Sequence, residues 1–178
     1  MNDKLPPSDE IIPAAEIQVA LDRLAREISS RLANRNPLVI TVMNGGLVFA
    51  GQLLPRLAFP LEIGYVHVRR YGQGTTGGEL VWIAGPQEPV KDRTVLLLDD
   101  ILDEGRTLAA IRARLLELGA MEVLTAALAV KERETAAEIQ ADFIGVRVPD
   151  RFVFGFGMDV ANEWRNLPSI RALRDEPD

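Results

Sequence analysis

The run Thr94-Val-Leu-Leu-Leu98, followed at once by Asp99-Asp100, constrains the fold more than any other stretch. Five residues this apolar suit a strand covered on both faces, as in a parallel sheet with helices on either side. Two adjacent carboxylates at its carboxyl end then fall where open α/β sheets gather their chemistry. Downstream, Ile-Leu-Asp103-Glu104-Gly105-Arg106-Thr107 supplies a third acid, a glycine that permits a tight turn, and a threonine opening a helix. The free N–H groups of such a helix start favour an anion. The segment offers carboxylates suited to sugar hydroxyls or a cation, beside a cradle suited to a phosphate. Its plain alternative is a solvated strand end followed by a capped turn.

Two other phosphate chemistries fail on spacing. In a P-loop the first glycine would fall at Asp100 and the lysine at Arg106. A receiver domain carries paired acids after its first strand, whereas this pair sits in mid-chain.

A length of 178 residues suits one domain that buries about two-thirds of its unfolded surface. There is no cysteine and a single histidine, His67, so disulfides, thiolate sites and histidine-cluster metal sites are excluded. The cytoplasm is the expected location. The first residues lack the apolar core of a signal peptide, and no apolar run reaches membrane-spanning length. A net charge of −6 argues against a nucleic-acid partner. A polyanionic substrate fits that balance only if basic residues gather at the pocket and acids on the outer surface.

Residues 1–13, Pro-rich and polar, are expected to form a loosely held lead-in. Ile17, Leu21, Leu24, Ile28 and Leu32 recur at helical spacing from Ala14 to about Leu32. Leu38 to Met43 reads as a core strand, broken by Asn44-Gly45-Gly46, where backbone comes close to something or simply turns. A helix with a turn or kink near Pro55 is expected from Leu47 to about Phe59, then a strand from Glu62 to Arg70 with His67 as a surface or partly buried partner rather than a catalyst. Tyr71 to Glu79 is glycine-rich and interrupts two strands, which fits either an idle hairpin or a lid that excludes water. Leu80 to Ala84 returns as a strand, and a turn leads to the central motif. Leu108, Ile111, Leu115 and Leu116 mark a helix stopped by Gly119. Val123 to Val130 is a strand delivering Lys131 at its carboxyl end; Phe143 to Val148 and Ser169 to Leu173 are further strands, and Arg174 to Asp178 a solvated tail.

The Val95–Thr107 stretch, the Asn44-Gly45-Gly46 loop, the Tyr71–Glu79 insertion, Lys131 and the run from Arg151 to Asp159 resemble, in the same order, the motifs of type I phosphoribosyltransferases. The resemblance runs from about residue 38 onward. It implies that family's α/β fold: a central, mainly parallel sheet flanked by helices (core about 38–148), with a small hood from about 1–37 and 149–178. In the branch that acts on 6-oxopurines it further implies purine salvage, a Mg²⁺-dependent transfer of 5-phosphoribose from phosphoribosyl pyrophosphate (PRPP) to hypoxanthine or guanine, giving IMP or GMP and pyrophosphate. By the same resemblance, Asp99 and Asp100 hold the ribose hydroxyls and, with Asp159, the metal. Asp103, Glu104, Gly105, Arg106 and Thr107 form the 5′-phosphate loop, and Asp103 takes the proton from purine N7. Asn44, Gly45, Arg70, Tyr71 and Arg165 face pyrophosphate, with a non-proline cis peptide between Met43 and Asn44. Lys131 donates to the exocyclic oxygen, Phe152 stacks on the purine, the Val153 backbone bonds the base edge, and Asp159 lies on the metal and pyrophosphate side. Relatives form dimers or tetramers, so a homodimer or homotetramer is expected.

A lysine has donors and no acceptor, so Lys131 suits a 6-oxo group and leaves the amino group of adenine unpartnered. Three positions depart from the family pattern: Asn44 replaces a common lysine, Arg70 a serine, and Glu104 a serine or threonine. A carboxylate in the phosphate loop would repel a dianion, so Glu104 is expected to turn outward and leave its backbone N–H to the phosphate. The alternative is a non-catalytic regulator on the same fold that binds a nucleotide or RNA. Asp103, Lys131 and the lid favour the enzyme, and the acidic balance disfavours an RNA-binding face.

Overall fold

The computed structural model describes residues 5–71 and 79–174, without the side chains at 70, 71 and 79. The expected lid at 72–78 and the end of the tail at 175–178 lie outside the described residues, as do the side chains of Arg70 and Tyr71. In chain order the elements are β1 (Ser8–Ile12), α1 (Ala14–Leu32), β2 (Leu38–Met43), α2 (Gly46–Leu53), a 3₁₀ turn (Leu54–Arg56), β3 (Glu62–Tyr71), β4 (Glu79–Ala84), β5 (Thr94–Leu102), α3 (Arg106–Glu117), β6 (Glu122–Glu132), β7 (Phe143–Pro149), β8 (Val153–Phe154) and β9 (Ile170–Leu173).

Six strands form one sheet in the order β4-β3-β2-β5-β6-β7. All neighbours are parallel except β4, which returns antiparallel along β3. The central strands are the most apolar, because alternate residues meet two separate cores. Val39, Leu96 and Leu98 pack with α1 and α2 on one face, while Ile40, Val95 and Leu97 pack with Ile111 and Leu115 of α3 on the other. Ile17, Leu21, Leu24, Ile28 and Leu32 of α1 are all fully buried, as their spacing implies. Winding reverses between β2 and β5, so their carboxyl ends splay around a crevice.

Three expectations are corrected. Residues 8–12 are not a loose lead-in: β1 pairs antiparallel with β9, and β9 with β8, in a second, three-stranded sheet made from both ends of the chain. Only Ser8 and Ile12 of β1 are buried, so the strand carries no apolar run to announce it. The helix after Gly46 turns at Pro55 as expected but ends short of Phe59: its α-helical part stops at Leu53 and a 3₁₀ turn closes it at Arg56, since proline removes a donor from the ladder. And β5 does not end at Leu98 but continues through both acids to Leu102, paired with β6 at Asp99↔Ala127 and Ile101↔Ala129.

Removing residues 1–12 strips β9 of its edge partner and the hood of Ile12. The truncated chain is expected to melt lower by roughly 5 °C or more and to be cut faster by protease between 150 and 174. Calorimetry and timed proteolysis of both forms check this; equal cutting would show the hood to be independent of β1.

Candidate active site

A cleft of about 870 Å³ opens at the carboxyl ends of β2 and β5. Asn44 and Gly45 line one wall, Asp99 and Asp100 the floor, and Asp103 to Thr107 the wall leading into α3; Arg165 comes from the hood. The peptide between Met43 and Asn44 is cis. Gly45 has no room for a side chain, because a Cβ there would lie 2.0 Å from Asp100 Oδ2. Gly157, at φ 109°, backs onto the same spot, where a Cβ would meet the Gly45 carbonyl oxygen at 2.2 Å. The backbone of Gly45 is thus held between the Asp100 carboxylate and the hood.

Asp99 and Asp100 are 7% and 9% exposed, unusual for carboxylates without a cation beside them. The Asp100 N–H donates to Asp99 Oδ1 at 3.0 Å, and the Ile101 N–H to Asp100 Oδ1 at 2.9 Å. Burial pushes the Asp99 carboxyl well above the usual carboxylate range, and the Asp100 charge pushes it further. Burial raises Asp100 too, against the opposing pulls of hydrogen bonds and the Arg165 charge. A buried acidic pair of this kind fits a bound cation, which would restore both charges.

The sequence groups Asp159 with this pair, but the fold separates them. Asp159 Oδ1 is 2.6 Å from Arg165 Nη2, and Oδ2 accepts from the Asn162 N–H at 2.8 Å. Among the described residues no group of three or more His, Cys, Asp or Glu side chains converges as a metal cage. Arg165 also donates to the Gly157 carbonyl at 2.7 Å, so Asp159 braces an arginine at the mouth of the cleft.

Gly105 takes φ 77° at the start of α3, the left-handed turn its position requires. The loop is anchored from behind by the Glu138 N–H, which donates to the Glu104 carbonyl at 2.9 Å. The Glu104 carboxylate is half-exposed and lies 3.3 Å from Arg106 Nε, so its charge is met by the neighbouring guanidinium. Arg106 and Thr107 also line the cleft.

Lys131, at the carboxyl end of β6, is nearly buried and lies 2.9 Å from Asp103 Oδ2. Arg133 bonds the other oxygen, Asp103 Oδ1. Burial pushes the Asp103 carboxyl up, but the hydrogen bonds from Lys131 and Arg133 outweigh it and leave the group below its usual range. Behind these side chains sits a smaller cavity of about 230 Å³, walled by Leu102, Ile139 and Ile144. Phe152 is 54% exposed and outside the cleft, two residues after Asp150, whose Oδ1 is 3.7 Å from Lys131 Nζ. Val153 is buried in β8.

Two basic residues of the site carried no signal in the sequence. Arg69 lines the cleft together with His67, which shares its phase on β3. Arg133 is the other; its charged partner stands thirty positions earlier.

The chain is similar to known proteins over most of its length. The family model described as "Phosphoribosyl transferase domain" matches residues 8–161. The bifunctional protein TilS/HprT of Listeria monocytogenes is 37% identical over 167 residues, 93% of this chain; the chain spans only 26% of that relative's length. The hypoxanthine-guanine phosphoribosyltransferase of Bacillus subtilis is 34% identical over 165 residues, covering 92% of both chains. A crystal structure of a hypoxanthine phosphoribosyltransferase from Staphylococcus aureus superposes with a TM-score of 0.88 at 27% identity, covering 93% of this chain and 91% of that one.

Because the folded-state values of Asp99 and Asp100 are raised, their ionisation costs the ligand-free fold stability. That stability is whole below the ordinary carboxylate range and is lost as pH rises through the raised values. Asp99→Asn keeps an oxygen for the Asp100 N–H and removes one charge. Its ligand-free Tm near neutral pH is expected to rise by about 3 °C, with the gap closing as pH falls; a calorimetric pH series in which the variant is never the more stable would contradict this.

Proposed function

This chain belongs to the phosphoribosyl transferase domain family, and from that premise we propose that it transfers 5-phosphoribose from PRPP to hypoxanthine or guanine, giving IMP or GMP and pyrophosphate in purine salvage. The observation that carries the reading is the buried Asp99–Asp100 pair at the tip of β5, set between the Gly45 backbone and the start of α3. A ribose ring with a phosphate at each end needs that juxtaposition: acceptors for two hydroxyls, flanked by donors for two anions.

Asp99 and Asp100 accept from the ribose hydroxyls and would hold Mg²⁺, which would supply positive charge against the leaving pyrophosphate. Asp159 serves the metal side at one remove, through Arg165. Backbone N–H groups from Asp103 to Thr107 receive the 5′-phosphate at the positive end of α3. Asn44, Gly45 and Arg165, with Arg69 from β3 and Arg70 and Tyr71 at its end, face pyrophosphate. As the anomeric carbon–oxygen bond breaks, positive charge gathers on the ribose beside the two acids, and these donors meet the charge growing on the leaving group. Lys131 donates to the exocyclic oxygen of the base, Asp103 accepts the N7 proton, Phe152 covers the ring and the Val153 backbone meets its edge.

Residues 1–178 work as one phosphoribosyltransferase domain, with a core over about 38–148 and a hood from the two ends. No helix among the described residues is long and apolar enough to cross a membrane; the family resemblance and the acidic balance support a cytoplasmic enzyme with neither membrane nor nucleic-acid partner. Ile63 and Tyr65 of β3 and Val81 and Ile83 of the edge strand β4 are exposed and suit a homodimer or homotetramer.

The test is nucleotide formation from PRPP and Mg²⁺ with hypoxanthine, guanine, xanthine and adenine in turn. Hypoxanthine and guanine are expected to react and adenine to fail. No product with any base would leave a non-catalytic regulator as the reading. Asp103→Asn is expected to lower kcat by about a hundredfold or more while moving the KM for PRPP little, and Lys131→Ala to flatten the preference for 6-oxo bases.

Glu104 gives a separate expectation. Replacing it with threonine removes a negative charge from the edge of the phosphate loop and frees Arg106, so the KM for PRPP should fall several-fold, by about the factor that 1 kcal/mol allows. Steady-state kinetics at varied PRPP check it, and a higher KM would mean that the Glu104–Arg106 pair supports the loop.

A further inference from the structure

On the purine side of the cleft four charged side chains close into a ring of alternating sign. Lys131 Nζ lies 2.9 Å from Asp103 Oδ2 and 3.7 Å from Asp150 Oδ1. Arg133 bonds Asp103 Oδ1, and its Nε is 3.7 Å from Asp150 Oδ2. Lys131 lies in β6 and Arg133 just past its end, and both side chains reach Asp103. Among the described residues, Glu104 and Arg106 beside Asp103 are paired with each other, and Arg147 of β7 lines the cavity that Asp103, Lys131 and Arg133 share.

In the ligand-free protein, then, the two groups that the reaction assigns to the base are spent on one another. Asp103 must offer an oxygen to N7–H, and Lys131 must offer its ammonium to the exocyclic oxygen. Both demands are met if one cation leaves Asp103 and the other stays. Lysine is the one suited to leave, being a single ammonium on a flexible stem. Arginine is the one suited to stay, because its planar fork reaches Asp103 with one nitrogen and Asp150 with another.

We propose, resting on the reaction above, that Arg133 is a positioning residue for base binding: it keeps Asp103 Oδ1 while Lys131 releases Oδ2, so that a carboxylate of fixed orientation meets the purine as the ammonium moves to the exocyclic oxygen. In the step that follows, purine N9 bonds to the anomeric carbon, the bond from that carbon to the pyrophosphate oxygen breaks, and the N7 proton passes to Asp103 Oδ2. Arg133 keeps the carboxylate ionised after Lys131 has gone. It weakens Asp103 as a base, but N7–H grows acidic as N9 gives up its electron pair, so a weak acceptor in the right place suffices. Asp150 holds the far end of the guanidinium and links the device to the hood.

Arg133→Gln and Arg133→Lys test the role. For the glutamine variant the KM for hypoxanthine should rise roughly tenfold, the loss of one charge-assisted hydrogen bond, with the KM for PRPP within about twofold of the parent. The acid limb of kcat/KM for the base should move to higher pH, since Asp103 loses a cation; the lysine variant should bring the limb back and recover part of the KM. An unmoved limb with an unchanged base KM overturns the proposal. So does an equal rise in both KM values with no rescue by lysine, which is the mark of a merely structural loss. Carbon NMR of the ligand-free proteins, with Asp103→Asn to assign the signal, needs no turnover: the Asp103 carboxyl should titrate higher in Arg133→Gln, and identical titrations overturn the proposal by themselves. A parent protein that turns over no base while the NMR shift appears would reject the proposed reaction instead.

Discussion

Two carboxylates taken out of water at the end of a central strand set the terms for everything around them. Removing an ion from solvent costs several kcal/mol unless a partner charge is at hand, and among the described residues Asp99 and Asp100 are met by backbone donors, by each other and by the field of Arg165. The surrounding fold is arranged to keep them there. Leu96 and Leu98 fix β5 from one face, and Val95 and Leu97 from the other. Gly45 leaves the room that the Asp100 side chain occupies, and Gly157 the room for the Gly45 carbonyl. A site built this way is stable in the ordinary sense everywhere except at its centre, where it waits for positive charge.

Much of this could be read from the chain alone. The apolar runs of β2, β5 and β6 and the spacing of α1 follow from burial on two faces, and a motif of acids, glycine and threonine after a buried run points to a sugar phosphate. What could not be read has a common cause: information that lies far off along the chain. β1 is an edge strand with charged outer positions whose partner is Ile170–Leu173. The continuation of β5 past two aspartates runs against strand propensity and depends on pairing with β6. Arg69 reaches the cleft beside His67 from β3, and Arg133 meets Asp103, which stands thirty positions earlier.

The departures from the family pattern are handled locally. Glu104 brings a carboxylate to the rim of a phosphate loop, and Arg106 lies 3.3 Å away to meet it. Gly105 takes the left-handed turn that opens α3, and the Glu138 N–H holds the Glu104 carbonyl from behind. Asn44 gives up a lysine's charge, while Arg69 and Arg165 bring two cations to the same cleft from other elements.

The pairing of β1 with β9 brings Ser8 opposite Leu173. The described polypeptide is therefore almost a ring, its two extremities lying side by side on the hood sheet rather than at opposite poles of the molecule. In such a topology the order in which segments are threaded matters less than their adjacency. A short bridge across the hood, with a new opening in the surface turn at 85–92, would leave every strand neighbour and the crevice between β2 and β5 as they are.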